Sequence, residues 1–219
     1  MRIGILGTGM VGQTIATKLA SLQHDVFMGA REAGNERAQG WAGQRIGKSG
    51  GTAQAGTFAQ AADYGEVIFN CTLGDGSLVA LTAATAEHLA GKVLIDVSNP
   101  LDFSRGMPPR LSVSNDDSLG EQLQRAFPGV RVVKTLNTVT ASVMVDPARV
   151  GDGDHAVFVS GNDHEAKLIA TGILQSFGWK QIIDLGDIAT ARGTEQYLPL
   201  WVRLWGSLGT AEFNIKIVR

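Results

Sequence analysis

The sequence predicts an α/β protein built on a doubly wound parallel sheet, with a short C-terminal strand and helix extension. Three observations predict it. Short apolar runs alternate with helical patterns along the first 150 residues. Those runs are apolar throughout rather than on every second residue. A glycine-rich turn joins the first run to the first helix. Alternation at this spacing calls for right-handed crossovers and parallel pairing. Continuous apolar runs belong to strands covered on both faces.

The elements follow in order. Residues 3–6 form the first strand. The helix after it carries Val11, Ile15, Leu19 and Leu22 on one face. Val26-Phe27-Met28 is the second strand, and a weak strand near 52–55 follows an Ala/Gly-rich helix. Strands are also expected at 67–71, 93–96 and 130–133, with Cys71 a buried member of the first of these. Beyond residue 150, strands at 155–160 and 181–185 flank a helix over 163–177, with Asn162 and Asp163 at its cap. The final helix spans 189–213, kinked near Tyr197 by Pro199. Residues 1–150 thus read as a nucleotide-binding core and 151–219 as an extension packed on it.

Bulk composition narrows the function classes. The chain has 219 residues, 44% of them hydrophobic and 18% charged, with a net charge of −2. No basic stripe is present to grip nucleic acid. The single cysteine leaves no internal disulfide and no thiol cluster for a metal. The apolar start is too short for a signal-peptide core, and no run approaches the ~20 apolar residues of a membrane span. A cytoplasmic protein is expected.

Gly7-Thr8-Gly9-Met10-Val11-Gly12 fits G-x-G-x-x-G in the context that gives the motif meaning: after a strand and opening a helix. Gly7 makes the turn, Gly9 admits a pyrophosphate, and Gly12 lets helix and strand pack. The second strand then ends Met28-Gly29-Ala30-Arg31. A site for the unphosphorylated dinucleotide places Asp or Glu there for the ribose 2′-hydroxyl. Arg31 instead suits a 2′-phosphate, with Asn35 and Arg37 nearby, so the cofactor expected is NADP(H).

The chemistry beyond the cofactor is read from what is missing. No Tyr-x-x-x-Lys occurs, since Tyr64 and Tyr197 are followed four residues later by Ile68 and Trp201. His24, His88, His155 and His164 fall in turns or helix ends and read as surface residues. Lys134-Thr135-Leu136-Asn137 matches a Lys-x-x-Asn pattern but ends a strand rather than lying on a helix. The strand ends read Cys71-Thr72-Leu73-Gly74, Ser98-Asn99-Pro100 and Leu136-Asn137-Thr138, polar and uncharged. Such groups hold a nicotinamide ribose and carboxamide but serve poorly as acids or bases. No side chain is therefore assigned as a catalyst, and transfer between two rings is favoured, because the cofactors carry the electronics.

With these residues in view, the chain resembles the coenzyme F420-dependent NADP oxidoreductase family. The resemblance rests on the Gly7 to Gly12 turn, Gly29-Ala30-Arg31, Thr72, Ser104-Arg105-Gly106 and Leu136-Asn137-Thr138-Val139. It extends through Arg192, Glu195, Leu198-Pro199-Leu200 and Ile215-Lys216. It implies NADP contacts at Thr8, Gly9, Met10, Val11, Ala30, Arg31, Thr72, Asn99 and Ala141, a deazaflavin stacked on the nicotinamide, and a homodimer. Asn137 stands where the family has histidine, Gly74-Asp75 where it has Pro-Trp, and Ala30 where it has serine. The family also resembles the reductase domains of metalloreductases, so a flavin is an alternative acceptor.

Trp201 and Trp205 recur with Leu198 and Leu208 at three- and four-residue steps on one helical face, which suits either packing on the sheet or a second subunit, or walling an aromatic acceptor together with Asn137, Thr138 and Val139. Two other readings stay open: reduction of a small carbonyl or imine, and a redox sensor that binds NADPH without turnover.

Overall fold

A computed structural model describes residues 1–44 and 50–219. Chain order runs β1 (Arg2–Leu6), α1 (Met10–Ser21), β2 (Asp25–Ala30), α2 (Glu36–Ala42), β3 (Ala53–Thr57), α3 (Phe58–Tyr64), β4 (Val67–Asn70), α4 (Gly74–Ala84), α5 (Ala86–Leu89) and β5 (Val93–Asp96). It continues with β6 (Leu101–Asp102), β7 (Arg110–Leu111), α6 (Leu119–Ala126), β8 (Arg131–Thr135) and α7 (Ala141–Val145). The last elements are β9 (Ala156–Ser160), α8 (His164–Phe177), β10 (Gln181–Gly186), α9 (Ala191–Gln196) and α10 (Leu198–Leu208).

Eight strands form one sheet in the order β10-β9-β8-β5-β4-β1-β2-β3. The chain leaves β1 for β2 and β3 on one side, then crosses back to β4 on the other. The β1/β4 boundary is therefore a topological switch point, where a crevice opens at the carboxyl ends of the strands. Apolar side chains cover both faces. Ile3, Ile15, Leu19, Val133 and Phe177 belong to one core, and Leu6, Ile68, Leu81, Leu94 and Leu123 to the other. None of the described helices is long and apolar enough to cross a membrane.

Two expectations about the sheet change. β9 runs antiparallel to β8, with Lys134 opposite Ser160, and β10 then pairs parallel to β9. Two additional short strands, β6 and β7, form an antiparallel hairpin apart from the main sheet. Their two-residue length leaves no period for a sequence reading to detect.

Local expectations fare unevenly. The Asp163 carboxylate caps α8 by accepting from the Ala166 N–H at 2.7 Å. The terminal helix breaks at Tyr197, as Pro199 foretold, but ends at Leu208 rather than Phe213. Gly209, at φ +68°, stops it in the left-handed region that favours glycine. His155 is buried rather than at the surface: its ring meets Trp179 edge-on at 5.1 Å and bonds the Pro147 carbonyl at 2.9 Å. A turn position says nothing about the tail that folds over it, and here Asn214 covers the other ring nitrogen.

Two glycines separate close packing from open space. A Cβ at Gly4 of β1 would collide with the Ala61 carbonyl of α3, whereas one at exposed Gly172 of α8 meets nothing. Gly4→Ala should destabilise by about 1–3 kcal/mol through overpacking, and Gly172→Ala should stabilise by about 0.5–1 kcal/mol through helix propensity. Thermal melts should move in opposite directions, by roughly 2–4 °C per kcal/mol.

Candidate functional site

The crevice at the switch point holds a cavity of about 660 Å³. Its first wall is the turn from β1 into α1. Gly7 adopts φ +124°, where a Cβ would sit 2.7 Å from the Cys71 carbonyl oxygen. A Cβ at Gly12 would strike the Gly7 carbonyl oxygen, so Gly12 serves helix packing and does not line the cavity. Gly9 differs: a Cβ there meets no atom of the described residues. No described neighbour requires glycine at this position, so the space beside it is a cradle that a side chain would fill. No side chain caps α1 and no acidic residue lies in its first turn. Its amides and dipole are left to an anion, as a pyrophosphate requires.

Thr8, Gly9, Met10, Val11, Ala30, Arg31, Asn35, Thr72, Leu73, Asn99 and Ala141 all line the cavity, as do Asn137 and Val139. Arg31 is exposed just past β2 and makes no ion pair with a described residue. Asn35 spends its carbonyl oxygen on the Ala38 N–H, capping α2. Arg37 lies on the same rim.

Besides Gly12, two predicted members fall outside. Thr138 is buried beneath the surface and does not reach the cavity. Trp205 lies a full turn beyond Trp201 on α10, and that extra turn carries it past the rim to 43% exposure. Trp201 does line the cavity, stacked on Phe213 at 5.3 Å between ring centroids. Cys71 follows β4 rather than belonging to it, and it forms part of the cavity wall. Burial pushes its thiol well above the ordinary range, so it stays protonated and a poor nucleophile.

The far end of the cavity is held by paired amides. The Asn99 side chain donates to the Asn137 carbonyl at 2.8 Å, and the Asn137 side chain returns a bond to Asn99 at 2.9 Å. Leu136, just before Asn137, sits at φ +61°, a strained conformation for a branched residue. Its full burial and the amide pair hold it there. Phe58, Val97, Leu101, Phe103, Thr140 and Met144 also line the cavity without having been singled out in the sequence, and Leu198, read on the same helical face as Trp201, joins them. Phe103 belongs to the loop closed by the β6–β7 hairpin, which carried no periodic signal.

Beneath this lining lies a polar layer that sequence reasoning missed. Lys134 pairs with Asp96 and with Glu195, each at 2.8 Å, and all three side chains are at most 2% exposed. Asp96 also accepts from Ser98 and Asn70, and Asn70 accepts from Thr72. The strand ends are thus uncharged where they face the cavity and charged one layer below.

A doubly wound sheet, a glycine cradle at an uncapped helix and an arginine past β2 that pairs with no described acid are features that an NADP-dependent oxidoreductase calls for. The family described as NADP oxidoreductase, coenzyme F420-dependent, matches residues 2–100. A crystal structure from Arthrobacter sp. FB24, provisionally named an F420-dependent NADP reductase, is 53% identical with a TM-score of 0.94, and each chain covers 100% of the other. The F420-dependent NADP reductase of Methanothermobacter marburgensis is 29% identical over 212 residues, 93% of this chain and 92% of its own. The metalloreductase STEAP3 of rat is 31% identical over 206 residues, 91% of this chain, and the match spans 38% of that longer protein. The chain belongs to the F420-dependent NADP oxidoreductase family.

Gly9→Ala tests the cradle. Because its Cβ meets no atom of the described residues, stability should stay within about 1 kcal/mol of the native protein. NADP+ affinity should fall at least about tenfold, as read by calorimetric titration beside a thermal melt.

Proposed function

We propose that this protein transfers hydride between NADPH and the deazaflavin ring of coenzyme F420, bound together in the switch-point cleft. The observation that carries this reading is the chemistry of the lining. No carboxylate, histidine or lysine faces the cavity among the described residues; its ionisable side chains are Arg31, Arg37 and Cys71. Reduction of a carbonyl needs a positioned proton donor beside the hydride donor. Transfer between two conjugated rings needs mainly alignment and exclusion of water, and the proton that completes reduction of the acceptor comes from solvent. Relatives named F420-dependent NADP reductases support the same acceptor.

In this reading Thr8, Gly9, Met10 and Val11 hold the pyrophosphate, and Ala30, Arg31, Asn35 and Arg37 surround the 2′-phosphate. Thr72, Leu73, Asn99 and Ala141 frame the nicotinamide half, while Asn137, Val139, Leu198 and Trp201 face the acceptor. Residues 1–150 then supply the NADP half and part of the acceptor wall, and residues 151–219 complete that wall with Leu198 and Trp201. We place the protein in the cytoplasm, where NADPH is available and a lone thiol stays reduced. We assign it a homodimeric state, supported by Leu200, Trp205 and Leu208, which are 56%, 43% and 55% exposed along α10. Sedimentation equilibrium should give twice the 23.1 kDa of one chain; a single-chain mass would contradict the dimer.

Stopped-flow oxidation of NADPH tests the function, with F420, flavin mononucleotide and no acceptor as separate arms. Only the F420 arm should show fast, saturable turnover. Charge-assisted bonds contribute roughly 1.5–3 kcal/mol each, so NADPH should bind about tenfold to a hundredfold more tightly than NADH, and Arg31→Asp should erase that preference. Trp201→Ala should raise the acceptor's KM about tenfold or more while leaving NADPH affinity nearly unchanged. Equal affinity for the two dinucleotides in the native protein would contradict the role of Arg31.

A further inference from the structure

We propose that Lys134 is a positioning residue that fixes the nicotinamide end of the cleft and the acceptor wall relative to each other, acting through Ser98 on one side and Glu195 on the other. The inference rests on the functional reading above for what each wall binds.

The geometry starts from three donors and three acceptors. A lysine ammonium carries three N–H groups. Those of Lys134 meet Asp96 Oδ2 at 2.8 Å, the Ser98 carbonyl oxygen at 2.6 Å and Glu195 Oε1 at 2.8 Å. Every donor is used, and the side chain is fully buried. Burial works against its charge, but the two facing carboxylates outweigh that and hold its pKa above the ordinary lysine value. Lys134 does not line the cavity, so it acts only through its partners.

Each partner leads to a different wall. Ser98 lines the cavity and precedes Asn99, whose amide is paired twice with Asn137. Asp96 gathers the Ser98 N–H and hydroxyl and the Asn70 amide, and Asn70 in turn fixes the Thr72 N–H and hydroxyl. Glu195 points the other way. It accepts the first two amides of α6, from Leu119 at 2.8 Å and Gly120 at 3.0 Å. It stands three residues before Leu198 and six before Trp201, with Tyr197 in helical conformation between them. One ammonium therefore sets the spacing between the loop facing the nicotinamide and the helix facing the acceptor.

Stability alone does not call for such a cluster. Buried ion pairs can often be replaced by apolar side chains of the same shape with no loss of stability. Ions and fully used donors supply direction, which hydride transfer demands, because the reacting atoms must be held about 3–3.5 Å apart.

Glu195→Gln and Lys134→Met separate the two arms. Glu195→Gln loosens the acceptor wall while Lys134 keeps Ser98 and Asp96. Calorimetric titration of this variant should give an NADP+ dissociation constant within threefold of native. The dissociation constant of F420 from the NADP+-saturated protein should rise at least about tenfold, with KM for F420 rising alongside and KM for NADPH unchanged. Lys134→Met releases both walls and should weaken both ligands. If that variant fails to fold, the asymmetry in Glu195→Gln decides alone. A folded Glu195→Gln protein in which both affinities and turnover stay native, or in which both ligands weaken equally, would overturn the proposal. Native protein that binds NADP+ but not F420 would instead overturn the acceptor assignment itself, a failure visible before any variant is compared.

Discussion

The buried ammonium of Lys134 is the constraint on which most of the architecture converges. It lies on β8, faces Asp96 across the β5–β8 pairing and reaches Glu195 of α9. Through these contacts it joins the centre of the sheet, the loop after β5, the start of α6 and the C-terminal helices. Removing one member of such a cluster leaves charge buried without a partner, which typically costs about 3–5 kcal/mol. The sheet places Lys134 where it is, because parallel pairing brings it opposite Asp96 without any help from local sequence.

The cleft above this cluster is made by two kinds of physics. Its side formed by the turn into α1 is mostly backbone: a positive-φ glycine, a glycine facing open space among the described residues and an uncapped helix start. Such features need no side-chain chemistry and tolerate little substitution. Its far side is side chain: paired asparagines, Leu198 and the stacked Trp201 and Phe213. The tail beyond α10 is pinned along the start of β9 by Asn214, by the Ala156 N–H donating to the Ile215 carbonyl, and by the Lys216–Asp154 and Arg149–Glu212 pairs. That anchoring holds Phe213 against the tryptophan wall.

The part of the cleft wall formed by the glycine turn and Arg31 was legible because its signals are contiguous. Six residues carry the glycine turn, and Arg31 sits at a fixed place after the second strand. The helix break at Tyr197 was likewise written locally, by Pro199. What escaped was set by distance in the chain. Asp96, Lys134 and Glu195 lie in three separate elements, and none signals its partners. The reversal of β9 depends on how the chain returns from α7. His155 looked like a surface turn residue because Trp179 and Asn214, which bury it, follow much later in sequence. Trp205 shared the periodicity of Trp201, but periodicity gives a face and not the point at which the helix passes the cavity rim.

In the function proposed above, hydride passes directly from one bound ring to another in this cleft, with no proton-transfer side chain among the described residues that face it. The most direct test of this transfer is isotopic. NADPH carrying deuterium at the transferable position of the nicotinamide should be oxidised with F420 in ordinary water, and the reduced product examined by mass spectrometry. Direct transfer predicts one deuterium retained on the deazaflavin per NADPH consumed. Reduced product without the label, or NADPH consumed with no reduced deazaflavin formed, would contradict it.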